Sequence, residues 1–367
     1  MITPSAWQGR SVLVTGHTGF KGGWLSVWLT TLGARVSGYA LAPPTDPSFF
    51  ESTRLGDLVV DRRSDIRDVE ATSAAVLDAA PEVVFHLAAQ PIVREGYRTP
   101  VETYAINVIG TASVLEASRA CPSVRAIVVI TTDKCYENRE WDRGYVETDA
   151  LGGHDPYSNS KACTELVCDA YRRSFFTGTS PRVGLATARA GNVIGGGDWA
   201  RDRLIPDLVR AAMAGTETPI RNPGSTRPWQ HVLEPLHGYL LLAERLLIAP
   251  AEFSEAWNLG PDPGGDAPVS EVLDRLARLW PSHVRWTVDA TPHPHEAGKL
   301  MLDSTKAHQR LGWAPRLALD DALRLSADWY GDFMTGHADL RAVTESQISY
   351  YSTFASYQTA RATQGEI

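Results

Sequence analysis

The sequence predicts an α/β protein, a doubly wound parallel sheet carrying a smaller, loop-rich C-terminal substrate domain. Three observations predict it. Short β-branched runs alternate with longer amphipathic stretches through the first half, a glycine-rich turn joins the first such pair, and after Arg189 the rhythm breaks into pieces bounded by glycine and proline.

Ser11 to Thr15 reads as the first strand and Gly19 to Leu32 as the helix that follows it. Arg35 to Leu41 is a second strand, Leu58 to Asp61 a short third, Asp68 to Ala79 a helix and Glu82 to Leu87 a strand. Thr99 to Ala120 reads as a helix, and Arg125 to Thr131 is so continuously apolar that it predicts a strand covered on both faces. Asp155 before Pro156 is a helix start, an acidic N-cap with proline at the first helical position, and its helix is expected to reach Phe176. Val183 to Ala188 is another buried strand. Beyond it, Gly195-Gly196-Gly197, Pro206, Pro219, Pro223-Gly224, Pro228 and Pro261 to Gly265 cut the chain into short elements. These breaks divide it into a nucleotide-binding domain, 1–190 with about 230–260, and a substrate domain, 191–229 with 261–355. The tail beyond Gln358 is expected to fray.

The 367 residues suffice for two domains with full cores. Forty-three acidic against 35 basic side chains give a net charge of −8, which opposes attraction to phosphate backbones and anionic lipid. Neither nucleic acid nor membrane is expected as a partner, and an anionic ligand must meet a local positive site. Met1 to Arg10 lacks a cationic start with an apolar run behind it, and no apolar run approaches the ~20 residues that span a bilayer, so a cytoplasmic protein is expected. Cys121, Cys135, Cys163 and Cys168 form no CxxC pair and read as reduced thiols. His293-Pro-His295-Glu296 lacks a helical i, i+4 pair and an outlying cysteine, so no metal is expected.

Between the first strand and helix stand Gly16, Gly19 and Gly22, spaced G-x-x-G-x-x-G. A tight strand-to-helix turn needs residues free to take positive φ, and a pyrophosphate approaching helix N-terminal N–H groups needs no Cβ in its way, so a Rossmann-type dinucleotide site is expected. The acid that usually ends the second strand is missing. Gly38 to Pro44 carries no carboxylate and no arginine, which leaves NAD against NADP open at this point. Asp65 and Ile66, after the short third strand, are the candidates for contacting adenine.

Tyr157 and Lys161 lie four residues apart on one face of the helix that starts at Pro156. A cation beside a phenol favours the phenolate, which can accept a hydroxyl proton while hydride leaves the same carbon. Thr132, ending the buried strand, is placed to supply a third hydrogen-bonding group.

The sequence resembles the extended short-chain dehydrogenase/reductase superfamily, and within it the CDP-glucose 4,6-dehydratases. The likeness is carried by Thr15 to Leu25, Phe85-His-Leu-Ala-Ala-Gln-Pro91, Thr132-Asp-Lys-Cys-Tyr136, Asp155 to Lys161, Arg189-Ala-Gly-Asn-Val-Ile-Gly-Gly-Gly-Asp-Trp199 and Arg227-Pro-Trp-Gln-His-Val232. It implies NAD as a regenerated cofactor, contacted by Gly16, Thr18, Gly19, Phe20, Gly22, Asp65, Ile66, Leu87, Ala88, Ala89, Tyr157 and Lys161. It implies a nucleoside-diphosphate hexose as substrate, contacted by Gln90, Asn192, Arg201, Arg227 and Glu296, and a hydro-lyase that makes the 4-keto-6-deoxy sugar. By that likeness Tyr157, Lys161 and Thr132 serve oxidation at C4, Asp133 is the acid for the C6 hydroxyl, and Lys134 is the base at C5. Many related dehydratases carry glutamate at that last position, and lysine is a base only when neutral. A nucleotide-sugar 4-epimerase and a dehydratase for another nucleoside-diphosphate hexose are the alternatives; a redox-sensing dinucleotide-binding protein would have no need of Thr132, Tyr157 and Lys161. The amphipathic helices Thr99 to Ala120 and Tyr157 to Phe176 suggest a homodimer or higher homo-oligomer.

Overall fold

The computed structural model describes residues 1–178, 183–262, 265–280, 284–291 and 298–363, with side chains as far as 353. Seven parallel strands form the main sheet: β1 Ser11–Thr15, β2 Arg35–Ala40, β3 Val60–Arg63, β4 Val83–His86, β5 Ala126–Ile130, β6 Gly184–Ala190 and, after the short β7 Asn192–Ile194, β8 Thr218–Ile220 and β9 Thr226–His231, the edge strand β10 Ala256–Leu259. Their order is β10-β6-β5-β4-β1-β2-β3. Strands β11 Asp266–Pro268 and β12 Trp286–Val288 complete two small sheets, β11-β9-β7 and β12-β8, beside the carboxyl ends of the large one.

Alternation along each strand explains the layering. Val12, Val14, Val83, Phe85, Ala126 and Val128 face one hydrophobic core, while Leu13, Val84, Ile127 and Val129 face a second across the sheet. All five residues of β5 are buried, the both-faces covering that its apolar run predicts. The expected strand boundaries hold to within two residues; the helix expected from Pro156 to Phe176 is α-helical over Pro156–Tyr171 and closes in a π-helical turn at Arg172–Phe176, and helix Val69–Ala79 is capped by Asp68, whose carboxylate accepts from Ala71 N at 2.9 Å.

The chain turns outward in both directions from the β1–β4 neighbours, which creates the crevice where open α/β sheets bind ligands. The stretch expected as one helix from Thr99 to Ala120 is helical over Pro100–Tyr104 and Gly110–Ala120, with a π-helical turn at Ala105–Ile109 between. Asn107 in that turn accepts from Gln90 N at 2.9 Å and donates to Gln90 O at 3.0 Å and Ser160 Oγ at 2.8 Å, clamping the loop after β4 to the helix Pro156–Tyr171.

The last helix, Leu340–Thr363, lies on the helix Phe20–Thr31, with Tyr351 edge-on to Trp28 at 5.7 Å and its hydroxyl donating to buried Glu234 at 2.6 Å. Its backbone is helical to Thr363, and the last four residues of the tail, 364–367, lie outside the described residues. Among the described residues no helix is long and apolar enough to cross a membrane.

Candidate active site

A cavity of ≈ 1370 Å³ opens at the carboxyl ends of β1, β4 and β5 and continues between the large sheet and the small ones. One small ligand usually fills ~300–1,000 Å³, so this cavity has room for two ligands lying together.

At one end lies the glycine turn. Gly16 has φ +77° and packs so closely on the loop after β4 that a Cβ would come within 2.7 Å of Ala88 N. Gly19 is the N-cap of helix Phe20–Thr31, and no side chain caps that helix. Its first-turn N–H groups are therefore available to an anion, and Gly16, Thr18, Gly19, Phe20 and Gly22 all line the cavity. Leu87, Ala88 and Ala89 form the opposite wall. His86 is structural: its ring bridges Thr15 Oγ1 at 2.7 Å and Thr111 Oγ1 at 3.0 Å, and burial pushes its pKa down to about 3.

The acid missing from the end of β2 has a structural counterpart. The His17 ring packs against Gly38, where a Cβ would fall 2.3 Å from it, and its Nε2 pairs with Asp61 of β3 at 2.8 Å. A side chain at position 38 would displace that ring. Asp65 and Ile66 line the cavity as expected, and Asp65 also forks onto Arg67, with its carboxylate held below the usual range mainly by that hydrogen bonding.

The chemical centre is built where β5 meets the helix Pro156–Tyr171. Asp155 caps that helix, accepting from Ser158 N at 3.0 Å, and Pro156 begins it. This start aims Tyr157 and Lys161, both buried, into the cavity beside Thr132 and Lys134. Burial pushes the Tyr157 phenol up to about 12, against which the Thr132 hydroxyl and the Arg203 charge pull down. Lys161 was expected to lower that phenol; its ammonium donates to Ile130 O at 3.1 Å and burial brings it down to about 8. Asp133 is fully buried behind the cavity wall; its Oδ1 accepts from Thr132 Oγ1 at 2.9 Å and Lys134 Nζ at 3.4 Å, while Oδ2 has no partner.

Of the substrate candidates, Asn192, Arg201 and Arg227 line the far end of the cavity, Arg201 exposed and Arg227 buried. Arg227 donates to Thr226 O at 3.0 Å and Gly298 O at 3.2 Å. Gln90 is not on the wall: its side-chain amide is spent on Thr103 Oγ1 at 2.9 Å and Ile92 N at 2.5 Å, bracing the loop from behind. Glu296, with His293 and His295, lies outside the described residues.

Sequence reasoning missed several cations on this wall. Lys21, inside the glycine turn, is pushed down to about 7 by burial, with Arg203 and Lys161 adding to the shift and Asp133 and Asp198 opposing it. Arg203 pairs with Asp198 at 2.7 Å, and Arg94 and Arg221 share Asp202 at 3.0 and 2.9 Å. Lys21 alone left a signal, a charged residue in the first turn of a nucleotide-binding helix. The others come from three separate segments that only the fold assembles. Together they provide the positive site that a chain of charge −8 needs for an anionic ligand.

The chain is similar to several known proteins. The CDP-glucose 4,6-dehydratase of Salmonella typhimurium is 50 % identical over 354 residues, which cover 96 % of this chain and 98 % of that protein. A dTDP-glucose 4,6-dehydratase of Xanthomonas campestris is 25 % identical, over 87 % of this chain and 92 % of its own. In fold, a UDP-glucose 4-epimerase of Thermotoga maritima solved with UDP-glucose matches 88 % of this chain and 99 % of its own at TM-score 0.76 and 22 % identity. A dTDP-glucose 4,6-dehydratase double mutant of Streptomyces venezuelae, solved with NAD, matches 90 % of this chain and 99 % of its own at TM-score 0.73 and 23 % identity. A family model matches residues 12–260, well over half of the chain and all of the large sheet but Ser11, and on that match the chain belongs to the NAD-dependent epimerase/dehydratase family.

Proposed function

We propose that this protein is a hydro-lyase that converts a nucleoside-diphosphate glucose, CDP-glucose first among them, to its 4-keto-6-deoxy sugar nucleotide. The observation that carries this reading is the meeting of two sets of groups at one cavity: Tyr157, Lys161 and Thr132 on its wall for oxidation of an alcohol, with Lys134 on the same wall and Asp133 directly behind it for elimination. An epimerase needs the first set and has no use for the second.

The residues fit NAD. The uncapped helix start at Gly19 suits a pyrophosphate, and the close approach of Gly16 to Ala88 leaves a smooth floor for a dinucleotide. Bound there, NAD would supply the hydride acceptor and donor that such a reaction requires. Tyr157 accepts the C4 hydroxyl proton, for which the phenolate has to be stabilised; Thr132 and the Arg203 charge already pull in that direction. The resulting ketone acidifies C5–H, and Lys134, in its neutral form, removes that proton. Asp133 gives a proton to the departing C6 hydroxyl; its unpartnered Oδ2 is the buried atom that such a hydroxyl would satisfy. Asn192, Arg201 and Arg227 hold the nucleotide, Arg227 suiting a diphosphate by its planar fork, and 191–229 with 261–355 form the substrate-binding part.

Cytidine as the base rests on the 50 % identity to the Salmonella enzyme. Val101 at 83 % exposure, Ile109 at 57 % and Leu166 at 59 % put an apolar face on the helices flanking the site, which supports a homodimer, and we place the protein in the cytoplasm. The test is incubation with NAD and CDP-, UDP-, dTDP- and GDP-glucose, following loss of water by mass. Epimerised sugar of unchanged mass, or no product from any of the four, overturns the reading.

A further inference from the structure

Glu165 and Arg189 form an ion pair directly behind the active site, each side chain only 3 % exposed, joined by Nη2 to Oε2 at 2.9 Å and Nε to Oε1 at 3.0 Å. Burying two charges is costly, and apolar replacements of such pairs are often neutral or stabilising, so stability alone is a poor reason for one here. Its connections are more informative. Glu165 lies on the helix Pro156–Tyr171, one turn beyond Lys161 and two beyond Tyr157. It accepts from Thr131 Oγ1 and from Thr187 Oγ1, the latter at 2.7 Å. Arg189 donates to the Tyr136 hydroxyl at 2.7 Å and to Glu147 O at 3.2 Å, and its guanidinium lies over the Tyr136 ring at 4.9 Å. The Tyr136 hydroxyl in turn donates to Asn258 Oδ1 at 2.7 Å.

Thr131 and Tyr136 are the two ends of the segment that carries Thr132, Asp133 and Lys134. The pair therefore grips that segment at both ends, and its own footing is the helix that carries Tyr157 and Lys161. We infer that Glu165 and Arg189 are positioning residues for the elimination half of the reaction, holding the acid and base in register with the oxidation site; this rests on the dehydratase reading above. Loosening the grip leaves Tyr157 and Lys161 on their own helix and lets 132–134 drift together, so oxidation loses only the hydrogen bond of Thr132 while elimination loses the placement of both Asp133 and Lys134. A misplacement of ~1 Å costs on the order of 100-fold in rate. Elimination then falls behind oxidation, and reduced nicotinamide builds up within a turnover.

Two variants test this. Tyr136→Phe removes one hydroxyl between Arg189 and the segment and keeps the ring stack. The double variant Glu165→Met/Arg189→Met removes both charges together, so neither is left buried alone. Each is compared with the parent in thermal unfolding, in single-turnover absorbance of reduced nicotinamide with CDP-glucose, and in amide hydrogen exchange over 131–136 without substrate. The expected result is an unfolding temperature close to the parent's, faster exchange over 131–136, and a transient of reduced nicotinamide that the parent lacks. Oxidation and elimination slowed in equal proportion, or a folded double variant turning over like the parent, overturns the positioning role. A parent that makes no keto sugar from any of the four nucleotides sinks the dehydratase reading instead. The exchange data then decide the positioning claim, and unchanged protection over 131–136 in both variants overturns it.

Discussion

Asp133 and Lys134 are adjacent in sequence and separated by depth: the carboxyl group is fully buried, the lysine side chain is 27 % exposed on the cavity side, and Nζ lies 3.4 Å from Oδ1. The arrangement gives the two groups different access to one sugar, with the lysine at the wall and the acid reaching it from behind. Asp133→Asn keeps the acceptor for the Thr132 hydroxyl and removes the acid. C4 oxidation and C5 deprotonation then continue while water leaves poorly, and substrate recovered from heavy water carries deuterium at C5. Lys134→Met is expected to abolish that exchange while reduced nicotinamide still forms. Exchange that survives the loss of Lys134 gives the C5 base to another group and leaves the lysine as an electrostatic support for the enolate.

Tyr157→Phe keeps the buried ring and removes the phenol that shares a hydrogen bond with Thr132. Dinucleotide affinity should hold, and kcat should fall by at least about 100-fold, the low end for one acid–base group. Because burial holds the free phenol near 12, the parent's rate should rise with pH through the alkaline range until another group fails, and the variant's residual rate should lose that slope. A variant with near-parental turnover removes Tyr157 from the chemistry.

Local chemistry made much of this molecule legible. Period-2 strands, the capped start at Asp155-Pro156 and the glycine turn each announce themselves within a few residues, and the Tyr157–Lys161 spacing follows from the helix. What stayed hidden is whatever the fold assembles from distant segments. Arg94, Asp202 and Arg221 become one cluster only after β8 is laid beside the cavity. Gln90, inside a segment that points at the cofactor, turns its amide backward to Thr103, because the π-helical turn at Asn107 takes over its backbone. Depth was equally unreadable: nothing in Thr-Asp-Lys says which of the two charges is sealed from solvent.

Arg227 is buried at the end of the cavity lined by Asn192 and Arg201, already braced by two carbonyl oxygens. If it grips the diphosphate equally in ground and transition states, Arg227→Ala raises KM far more than it lowers kcat. Arg227→Lys keeps the charge and loses the fork, so it should recover only part of the affinity. Steady-state kinetics with the nucleotide sugar make the comparison, and an unchanged KM returns Arg227 to a purely structural role.

Lys21 links charge to occupancy. Burial, helped by Arg203 and Lys161, holds its ammonium down to about 7, so at pH 8 much of it is neutral in the ligand-free protein. A pyrophosphate arriving at the helix start favours the ammonium, and dinucleotide binding near pH 8 should therefore take up protons. Calorimetric titration with NAD in buffers of different ionisation enthalpy measures that uptake directly, and Lys21→Met should remove most of it. The sign for stability follows from the same shift. In the unfolded chain the lysine titrates near its ordinary value of 10.5, so between about 7 and that value the unfolded state binds more protons, and this group's contribution to folding stability rises with pH. The stability that the methionine variant gains over the parent should accordingly shrink as pH rises from 7 through that window. NAD binding without proton uptake, together with a stability difference that is flat in pH, would show that Lys21 is an ordinary solvated lysine.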